Sequence, residues 1–330
     1  MNAQDLKNRI PEIVESLLPR LNEIADQIFA NPELGYEEVK AAGWLTEFLE
    51  ERGFSVERGA GGLPTAFKGT KNGNAEGPAI AIVSEYDALK VLGHACGHNI
   101  IATMGIGAAA AVAELSGEIP GVIVSMGTPA EEGGGGKIKL INASAFDDVD
   151  AAMMIHPGPY NLSYRPSLGR ARLLVNFIGR SSHASSGPEM GINALDALVT
   201  AYQNIGLLRQ QLPSDVRIHG IITEGGEAPN IIPGHASGIF YVRTRVKDFL
   251  PELTRRAKAC MEGAAMAHGA KVEIIEDPLI YEPLLENPEM CALFEDNLRA
   301  VGAPPSDVDV EKVGAGSSDM ANLSWKLPVV

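Results

Sequence analysis

The sequence is poor in cysteine and in positive charge, and both shortages narrow the class of protein. Its three cysteines, Cys96, Cys260 and Cys291, are odd in number and far apart, so they predict no disulfide framework and fit a reducing cytoplasm. The net charge of −15 argues against nucleic acid as a partner, because phosphate binding needs a basic face, and it also argues against an anionic membrane surface. We therefore expect a cytoplasmic protein that binds neither nucleic acid nor membrane.

A long apolar segment is also missing. The longest uncharged stretch, residues 100–113, is shorter than the roughly twenty apolar residues that span a bilayer. Residues 1–17 mix charged with apolar side chains, which is typical of an amphipathic helix and not of a signal peptide. Because 330 residues exceed the size at which one hydrophobic core usually stops growing, we expect two domains.

The outer parts of the chain have the pattern of an α/β domain. Apolar periodicity predicts helices over residues 6–30, 36–52, 100–115 and 288–301. Short apolar runs predict buried strands over residues 65–68, 79–84, 122–127 and 151–155. Because a helix lies between two of these strands, we expect a mixed sheet. This predicted domain comprises residues 1–167 and 278–330.

Residues 168–277 follow a different rhythm. Alternating apolar residues predict strands over 172–178, 217–224, 237–246 and 271–276, and helical periodicity covers 193–211 and 249–268. The order βαββαβ is typical of a ferredoxin-like sheet of four strands with two helices on one face. We therefore predict that residues 168–277 form a second, inserted domain.

Candidate metal ligands follow successive predicted strands of the first domain. Cys96 and His98 lie two residues apart, Glu131 and Glu132 are adjacent, and His156 follows the last strand. Each motif alone has an ordinary explanation, such as a buried cysteine, a solvated turn or a strand end. Together, thiolate, imidazole and carboxylate suit zinc and its first-row neighbours. Adjacent carboxylates also allow one to hold a metal while the other moves protons.

Four segments give the chain a family resemblance: residues 84–89 (SEYDAL), 93–99 (GHACGHN), 127–135 (GTPAEEGGG) and 156–157 (HP). They strongly resemble the M20 metallopeptidase family. The branch they resemble most includes aminobenzoyl-glutamate hydrolases, β-alanyl-lysine-type dipeptidases and aminoacylase-like enzymes. The resemblance implies a zinc-peptidase-like catalytic domain with a mixed sheet, and an inserted βαββαβ domain that serves as lid and dimerisation domain.

The resemblance also implies roles for the motif residues of the first domain. Four of them match the metal ligands of a site for one or two divalent ions: Cys96, His98, Glu132 and His156. Glu131 matches the general base, and Asp87 matches a carboxylate that orients a ligand, although a strand-end cap is a second reading of Asp87. The cysteine and histidine content favours Zn2+, and the family makes Mn2+ the second choice.

Within the inserted domain, the resemblance points to residues that contact substrate. His183 in residues 179–185 (GRSSHAS) matches a histidine that reaches a neighbouring active site across a dimer, where it stabilises an oxyanion. Asn230 and Arg243 match the group that binds the substrate's carboxylate, although Arg243 and Arg245 share a predicted strand face and the sequence leaves that choice open. We therefore expect a homodimer through the inserted domain and a small-molecule substrate with a free carboxylate.

The chain departs from the family near its end. No histidine follows His268, whereas the family's catalytic domain continues beyond residues 316–320 (GSSDM) to a last metal-binding histidine. We expect either that the chain is clipped or that its second metal site is weakened. The predicted function is metal-dependent hydrolysis of the amide bond in small N-acyl or N-aminoacyl amino acids. Two alternatives stay open: a metal-dependent aminohydrolase of an aromatic amine, and a non-catalytic dimer of the same fold.

Overall fold

The structure is a computed structural model that describes residues 2–310, 312–313 and 316–330. The described chain forms two compact units. The first, here called the catalytic unit, contains the described residues of 2–165, 284–313 and 318–330. The second, here called the inserted unit, contains residues 166–283 and 316–317.

The helices and strands of the described residues are numbered in chain order. The helices are α1 (Ala3–Lys7), α2 (Ile10–Ala30), α3 (Val39–Glu51), α4 (His98–Ala113), α5 (Gly136–Asn142), α6 (Ala194–Arg209), α7 (Leu250–His268), α8 (Pro288–Ala300) and α9 (Met320–Leu323). The strands are β1 (Ser55–Arg58), β2 (Phe67–Asn72), β3 (Ala79–Ser84), β4 (Val122–Gly127), β5 (Ala151–Met153), β6 (Gly169–Ile178), β7 (Arg217–Glu224), β8 (His235–Thr244) and β9 (Lys271–Glu276).

The catalytic unit is built on a mixed sheet of five strands in the order β1-β2-β4-β3-β5. Strands β3, β4 and β5 are parallel, whereas β1 and β2 run antiparallel to their neighbours. One apolar cluster packs α2, α3 and α4 against the sheet, and a second cluster includes residues of α5 and α9. The parallel strands read as nearly continuous apolar runs because helices cover a sheet of this kind on both faces.

The end of the chain joins this sheet. The amide of Ala152 donates to the carbonyl of Pro328 at 3.0 Å, and the amide of Val330 donates to the carbonyl of Ala152 at 3.2 Å. Val329 thus forms a parallel bridge beside β5. The C-terminal residues are therefore held next to the strand that leads to His156.

The inserted unit contains a four-stranded antiparallel sheet in the order β7-β8-β6-β9. Alternate residues of β6, including Leu173 and Phe177, pack in one apolar cluster with α6 and α7. The element order and the strand order are those of a ferredoxin-like βαββαβ unit.

Most predicted elements are found, and the exceptions have local causes. The helix predicted over residues 6–30 is interrupted, because Pro11 in the first turn of α2 lacks the amide hydrogen that would continue a helix from α1. Strand β1 was not predicted, since its side chains are mostly exposed and leave no apolar signal. The strand predicted over residues 237–246 ends at Thr244, so Arg245 lies outside it. Over the described residues, no helix combines the length and apolarity needed to cross a bilayer.

Candidate active site

The predicted metal ligands lie at one edge of the catalytic sheet, His98 at the start of α4 and the others in loops. Ser84 of β3 pairs in parallel with Gly127 of β4, and β5 pairs in parallel with β3 on its other side. The loops that follow these strands carry Asp87 to His98, the glutamate pair, and His156. The carboxyl ends of parallel strands meet at one edge, which is where open α/β sheets form their sites.

The first cluster at this edge consists of Cys96, His98 and His156. Their potential ligand atoms all lie within 4.8 Å of one another, and the two imidazole rings are nearly perpendicular with centroids 6.0 Å apart. Gly97 makes this approach possible: its φ of +79° is left-handed, and a Cβ there would lie 3.1 Å from Cγ of Pro157. A side chain at position 97 would therefore push the two loops apart.

Asp87 orients the central histidine. Nδ1 of His98 lies 2.9 Å from the carbonyl oxygen of Asp87 and 3.1 Å from Oδ1 of its carboxylate. Since a carbonyl oxygen only accepts, Nδ1 carries the proton and Nε2 faces the cluster. The other carboxylate oxygen, Oδ2, accepts from the amide of Glu132 at 2.9 Å. One buried side chain thus positions both a histidine and the backbone of the glutamate pair.

The second cluster consists of His98, Glu131 and Glu132, again with potential ligand atoms within 4.8 Å of one another. Oε1 of Glu132 lies 3.8 Å from Nε2 of His98, and the Glu132 side chain is partly exposed. Glu131 is more enclosed than Glu132. The two neighbouring carboxylates therefore differ in environment, which is the condition for two different chemical roles.

The titrating groups of these clusters influence one another. Burial lowers the pKa of His98, but the Asp87 and Cys96 side chains and the charge of Glu85 outweigh burial and raise it to about 11. The rings of His156 and His98 lower the pKa of the Cys96 thiol, and Cys96 in turn raises the pKa of His156. This position therefore favours a positive charge beside a thiolate, as a metal ion would supply.

Glu131 has the character of a proton acceptor that can also release its proton. Burial raises its pKa well above the ordinary value, and the charges of Glu85 and Asp319 raise it further, while Lys137 lowers it. A carboxyl group with a raised pKa suits general acid–base chemistry near neutral pH.

Lys137 is a site residue that the sequence analysis missed. Its ammonium group is fully buried, donates to Glu85 and lies 2.7 Å from Oδ1 of Asp319. Its amide also donates to Oδ2 of Asp319 at 2.9 Å. A glycine-rich run followed by lysine is typical of a solvated loop, so no local signal marked this residue. The three carboxylates of Glu85, Glu131 and Asp319 are close enough together to hold a cation. The ammonium group of Lys137 provides that positive charge.

The residues present fit a divalent metal ion of the zinc type. Nε2 of His98 and Oε2 of Glu85 are buried, and neither forms a hydrogen bond within the described part of the chain. Buried polar atoms of this kind require a partner, which a cation would provide. Nδ1 of His156 lies 2.8 Å from the carbonyl oxygen of Pro157, so its Nε2 is the nitrogen left to bind a metal.

The remaining predicted residues, His183, Asn230 and Arg243, belong to the inserted unit. Nδ1 of His183 accepts from the amides of Ser185 and Ser186 at 3.3 and 3.2 Å, so the proton is on Nε2 and the exposed ring can donate it in a hydrogen bond. Asn230 is exposed in a loop, and its carbonyl accepts from the amide of Ala184 at 3.0 Å.

Arg243 lies on β8 opposite Arg170 of β6. The guanidinium carbon of Arg170 is 4.9 Å from the ring centroid of Tyr241 and 3.9 Å from that of Tyr281, while that of Arg243 is 5.2 Å from Tyr241. Neither arginine forms an ion pair within the described residues. Two like charges directly opposite each other in a sheet repel, so this pair would bind an anion favourably.

Comparisons with known proteins agree with this geometry. The profile of peptidase family M20/M25/M40 matches residues 85–330. Xaa-Arg dipeptidase of Mus musculus is 39% identical over an alignment that covers 98% of this chain and 78% of that protein. One of the polypeptides of p-aminobenzoyl-glutamate hydrolase from Escherichia coli (strain K12) is 32% identical over 82% of this chain and 60% of that protein.

Solved structures share the fold. An aminobenzoyl-glutamate utilization protein from Klebsiella pneumoniae superposes with a TM-score of 0.78 at 21% identity, covering 97% of this chain and 92% of that one. A dinuclear metal-binding peptidase of family M20 from Bacillus subtilis superposes with a TM-score of 0.70 at 21% identity, covering 96% and 88%. The chain belongs to peptidase family M20/M25/M40 and is a hydrolase, which confirms the resemblance.

Proposed function

We propose that this member of the family hydrolyses the amide bond of dipeptides and other small N-acyl amino acids, with a divalent metal ion and Glu131 at its centre. The observation that carries the proposal is that two clusters at one sheet edge share His98. In one cluster with Cys96 and His156, and in the other with the two glutamates, the potential ligand atoms lie within 4.8 Å of one another. The names of the two relatives, a dipeptidase and an aminobenzoyl-glutamate hydrolase, describe enzymes that cleave bonds of this class. The alignment with the first relative covers nearly the whole chain.

Four residues would hold the metal: Cys96, His98, Glu132 and His156. A divalent ion there would polarise the scissile carbonyl and make water a better nucleophile. The thiol and imidazoles favour zinc over manganese because softer ligands prefer zinc. Asp87 keeps Nε2 of His98 directed at the cluster by holding the proton on Nδ1.

Glu131 would move the proton. A carboxylate beside the ligands can take a proton from water and then deliver it to the leaving amine. Burial and the neighbouring charges of Glu85 and Asp319 raise the pKa of Glu131, so the protonated form is accessible for the second step. The buried ammonium of Lys137 keeps those two neighbouring acids from accumulating uncompensated negative charge.

Arg243 would bind the substrate's free carboxylate, with Asn230 as a further polar contact. The support is electrostatic: burial and the charge of Arg170 lower the pKa of Arg243, and a carboxylate would relieve that repulsion. Arg245 is the weaker candidate because it lies beyond the end of β8. Nε2 of His183 is suited to donate a hydrogen bond to an oxyanion of the bound substrate.

We also propose a homodimer through the inserted unit. Strand β7 is an edge of its sheet, and Ile221 and Ile222 on this strand are exposed. Exposed apolar edge strands commonly pair with another chain.

The three cysteines are free thiols, which supports the proposed reducing cytoplasm.

The test is turnover of matched substrates. The purified protein should hydrolyse one or more members of a panel of Xaa-Arg dipeptides, N-acetyl amino acids and p-aminobenzoyl-glutamate. Because a neutral amide cannot form the charged pair proposed for Arg243, the matched substrate with a C-terminal amide should lose at least about 100-fold in kcat/KM. A chelator should abolish turnover, and re-addition of Zn2+ or Mn2+, with bound metal measured, should restore it and rank the two ions.

Each other result selects a different function. Ammonia release from an aromatic amine, without a need for a free carboxylate, would identify an aminohydrolase. Full metal occupancy with no turnover on any substrate would identify a non-catalytic dimer. Undiminished hydrolysis after complete removal of metal would contradict the proposed chemistry.

A further inference from the structure

The backbone just before the glutamate pair is held in a costly conformation. Ala130 has a φ of +57°, in the left-handed region that residues with a Cβ rarely adopt. Ala130 is buried and lies directly before Glu131. Strain of this kind persists only when the surroundings impose it, so the contacts around Ala130 should reveal what does so.

A buried carboxylate from a distant part of the chain holds this residue. Oε1 of Glu38 accepts from the amide of Ala130 at 2.8 Å, and its Oε2 accepts from the hydroxyl of Thr65 at 2.8 Å. Glu38 is fully buried. The carbonyl of Thr65 in turn accepts from the hydroxyl of Tyr86 at 2.6 Å, so Glu38 is tied to the segment that carries Asp87.

The amide on the other side of Glu131 is held in the same way. The amide of Glu132 donates to Asp87, as described above. Two buried carboxylates, Glu38 and Asp87, therefore hold the amides that flank Glu131. Asp87 orients a metal ligand as well, whereas the side-chain hydrogen bonds of Glu38 go to Thr65 and Ala130, and the proposed chemistry gives it no role so far.

The packing around Ala130 leaves little freedom. A Cβ on Gly35 would lie 2.8 Å from the Cβ of Ala130, and a Cβ on Gly134 would lie 2.7 Å from it. Two glycines thus make room for the alanine methyl group in its strained position. Because Gly35 lies three residues before Glu38, the same short segment supplies both the space and the hydrogen bond.

We propose that Glu38 is a positioning residue that fixes Ala130 in its left-handed conformation and thereby aims the Glu131 carboxylate. This inference rests on the proposed function of Glu131, but its structural part can be measured without catalysis. Loss of the Glu38 carboxylate would let Ala130 relax toward an ordinary conformation, and the Glu131 side chain would turn with it. A displacement of about 1 Å at a catalytic group costs on the order of 100-fold in rate.

The experiment compares Glu38→Ala, Glu38→Gln and Glu37→Ala in the metal-loaded protein. Glu37 is the exposed neighbour of Glu38 and is the matched control. Glu38→Ala should lower kcat about 100-fold with KM and metal content nearly unchanged. Glu38→Gln keeps an acceptor for the Ala130 amide and should stay within about tenfold of the parent, and Glu37→Ala should behave as the parent. Amide exchange at Ala130 should quicken about tenfold or more in Glu38→Ala alone.

A second comparison separates positioning from general stability. Glycine adopts a left-handed φ without penalty, so the Ala130→Gly variant should not need Glu38 to hold this conformation. Glu38→Ala should therefore lower kcat much less in the Ala130→Gly variant than in the parent protein. An equal loss in both backgrounds, or unchanged exchange at Ala130 in Glu38→Ala, would overturn the proposal. If the parent hydrolyses nothing, the proposed function fails, and the exchange measurement still decides whether Glu38 holds Ala130.

Discussion

The two units of the chain bury different kinds of side chain. Among the described residues, the catalytic unit buries several acidic and basic side chains, which include Glu38, Glu85, Asp87, Lys137 and Asp319. In the described part of the inserted unit, Arg170 is the one buried acidic or basic side chain. The core of the inserted unit is a single apolar cluster. The inserted unit is therefore stabilised mainly by apolar burial, and the catalytic unit also depends on satisfied buried charge.

This difference agrees with the proposed function of the catalytic unit. An apolar cluster tolerates small shifts, but a buried carboxylate or ammonium without its partner is costly, so such groups have few acceptable positions. A site that aims one carboxylate and orients one imidazole needs that restriction. Substitutions in the two units should therefore separate effects on chemistry from effects on stability.

The largest effect is expected within the glutamate pair. Glu131→Gln should reduce kcat about a thousandfold because it removes the proton acceptor, while metal content stays near that of the parent. Glu132→Gln should instead lower the metal content, because a ligand is lost. Metal analysis and steady-state kinetics on both variants test this contrast. Comparable turnover in Glu131→Gln would remove it as the general base.

The buried ammonium should matter more than an exposed one. Lys137→Met leaves Glu85 and Asp319 without a counter-ion and should cost about 3–5 kcal/mol in the free energy of unfolding. Lys326→Met breaks the exposed pair with Asp147 and should cost much less, because water screens an exposed ion pair. Tryptophan fluorescence during urea unfolding reports this unit, since Trp44 and Trp325 both belong to it. Both lysines belong to the catalytic unit, so equal costs would contradict its dependence on satisfied buried charge.

The smallest effect on chemistry is expected in the apolar core of the inserted unit. Leu198→Ala in α6 removes a fully buried side chain and should cost about 3 kcal/mol in local stability. Leu207→Ala on the same helix should change stability by no more than about 0.5 kcal/mol, since that side chain is 74% exposed. Hydrogen exchange of α6 and α7 measures both, and metal content should stay constant. A fall in bound metal with Leu198→Ala would show that the inserted unit supports the metal site.

Much of the fold was predictable because its signals are local. Strands β3, β4, β7 and β9 have the predicted bounds, since short apolar or alternating runs between breakers define them. Helix α4 begins at His98, two residues before the predicted start, because Gly97 in a left-handed conformation sets its first turn. The mixed sheet with its M20 likeness is confirmed by the solved structures.

The site was predictable only as a set of residue types. The identities and order of Cys96, His98 and the glutamate pair indicated a metal site, and their roles stay predictions until the variants are measured. Glu38 and Lys137 gave no signal, because each acts through partners that are distant in the sequence: Ala130 and Thr65 for the first, Glu85 and Asp319 for the second.

The sequence by itself determined which side chains are available as metal ligands, because ligand chemistry is a property of each side chain. It also located the strand ends that carry them, because local residue patterns define where a strand ends. Tertiary structure alone decided the protonation and direction of those ligands. Burial of Glu131 beside other acids, the hydrogen bond that fixes the His98 tautomer and the left-handed Ala130 arise only where distant segments meet. Desolvation and hydrogen-bond geometry depend on what surrounds a group in space, and residue order does not contain that information.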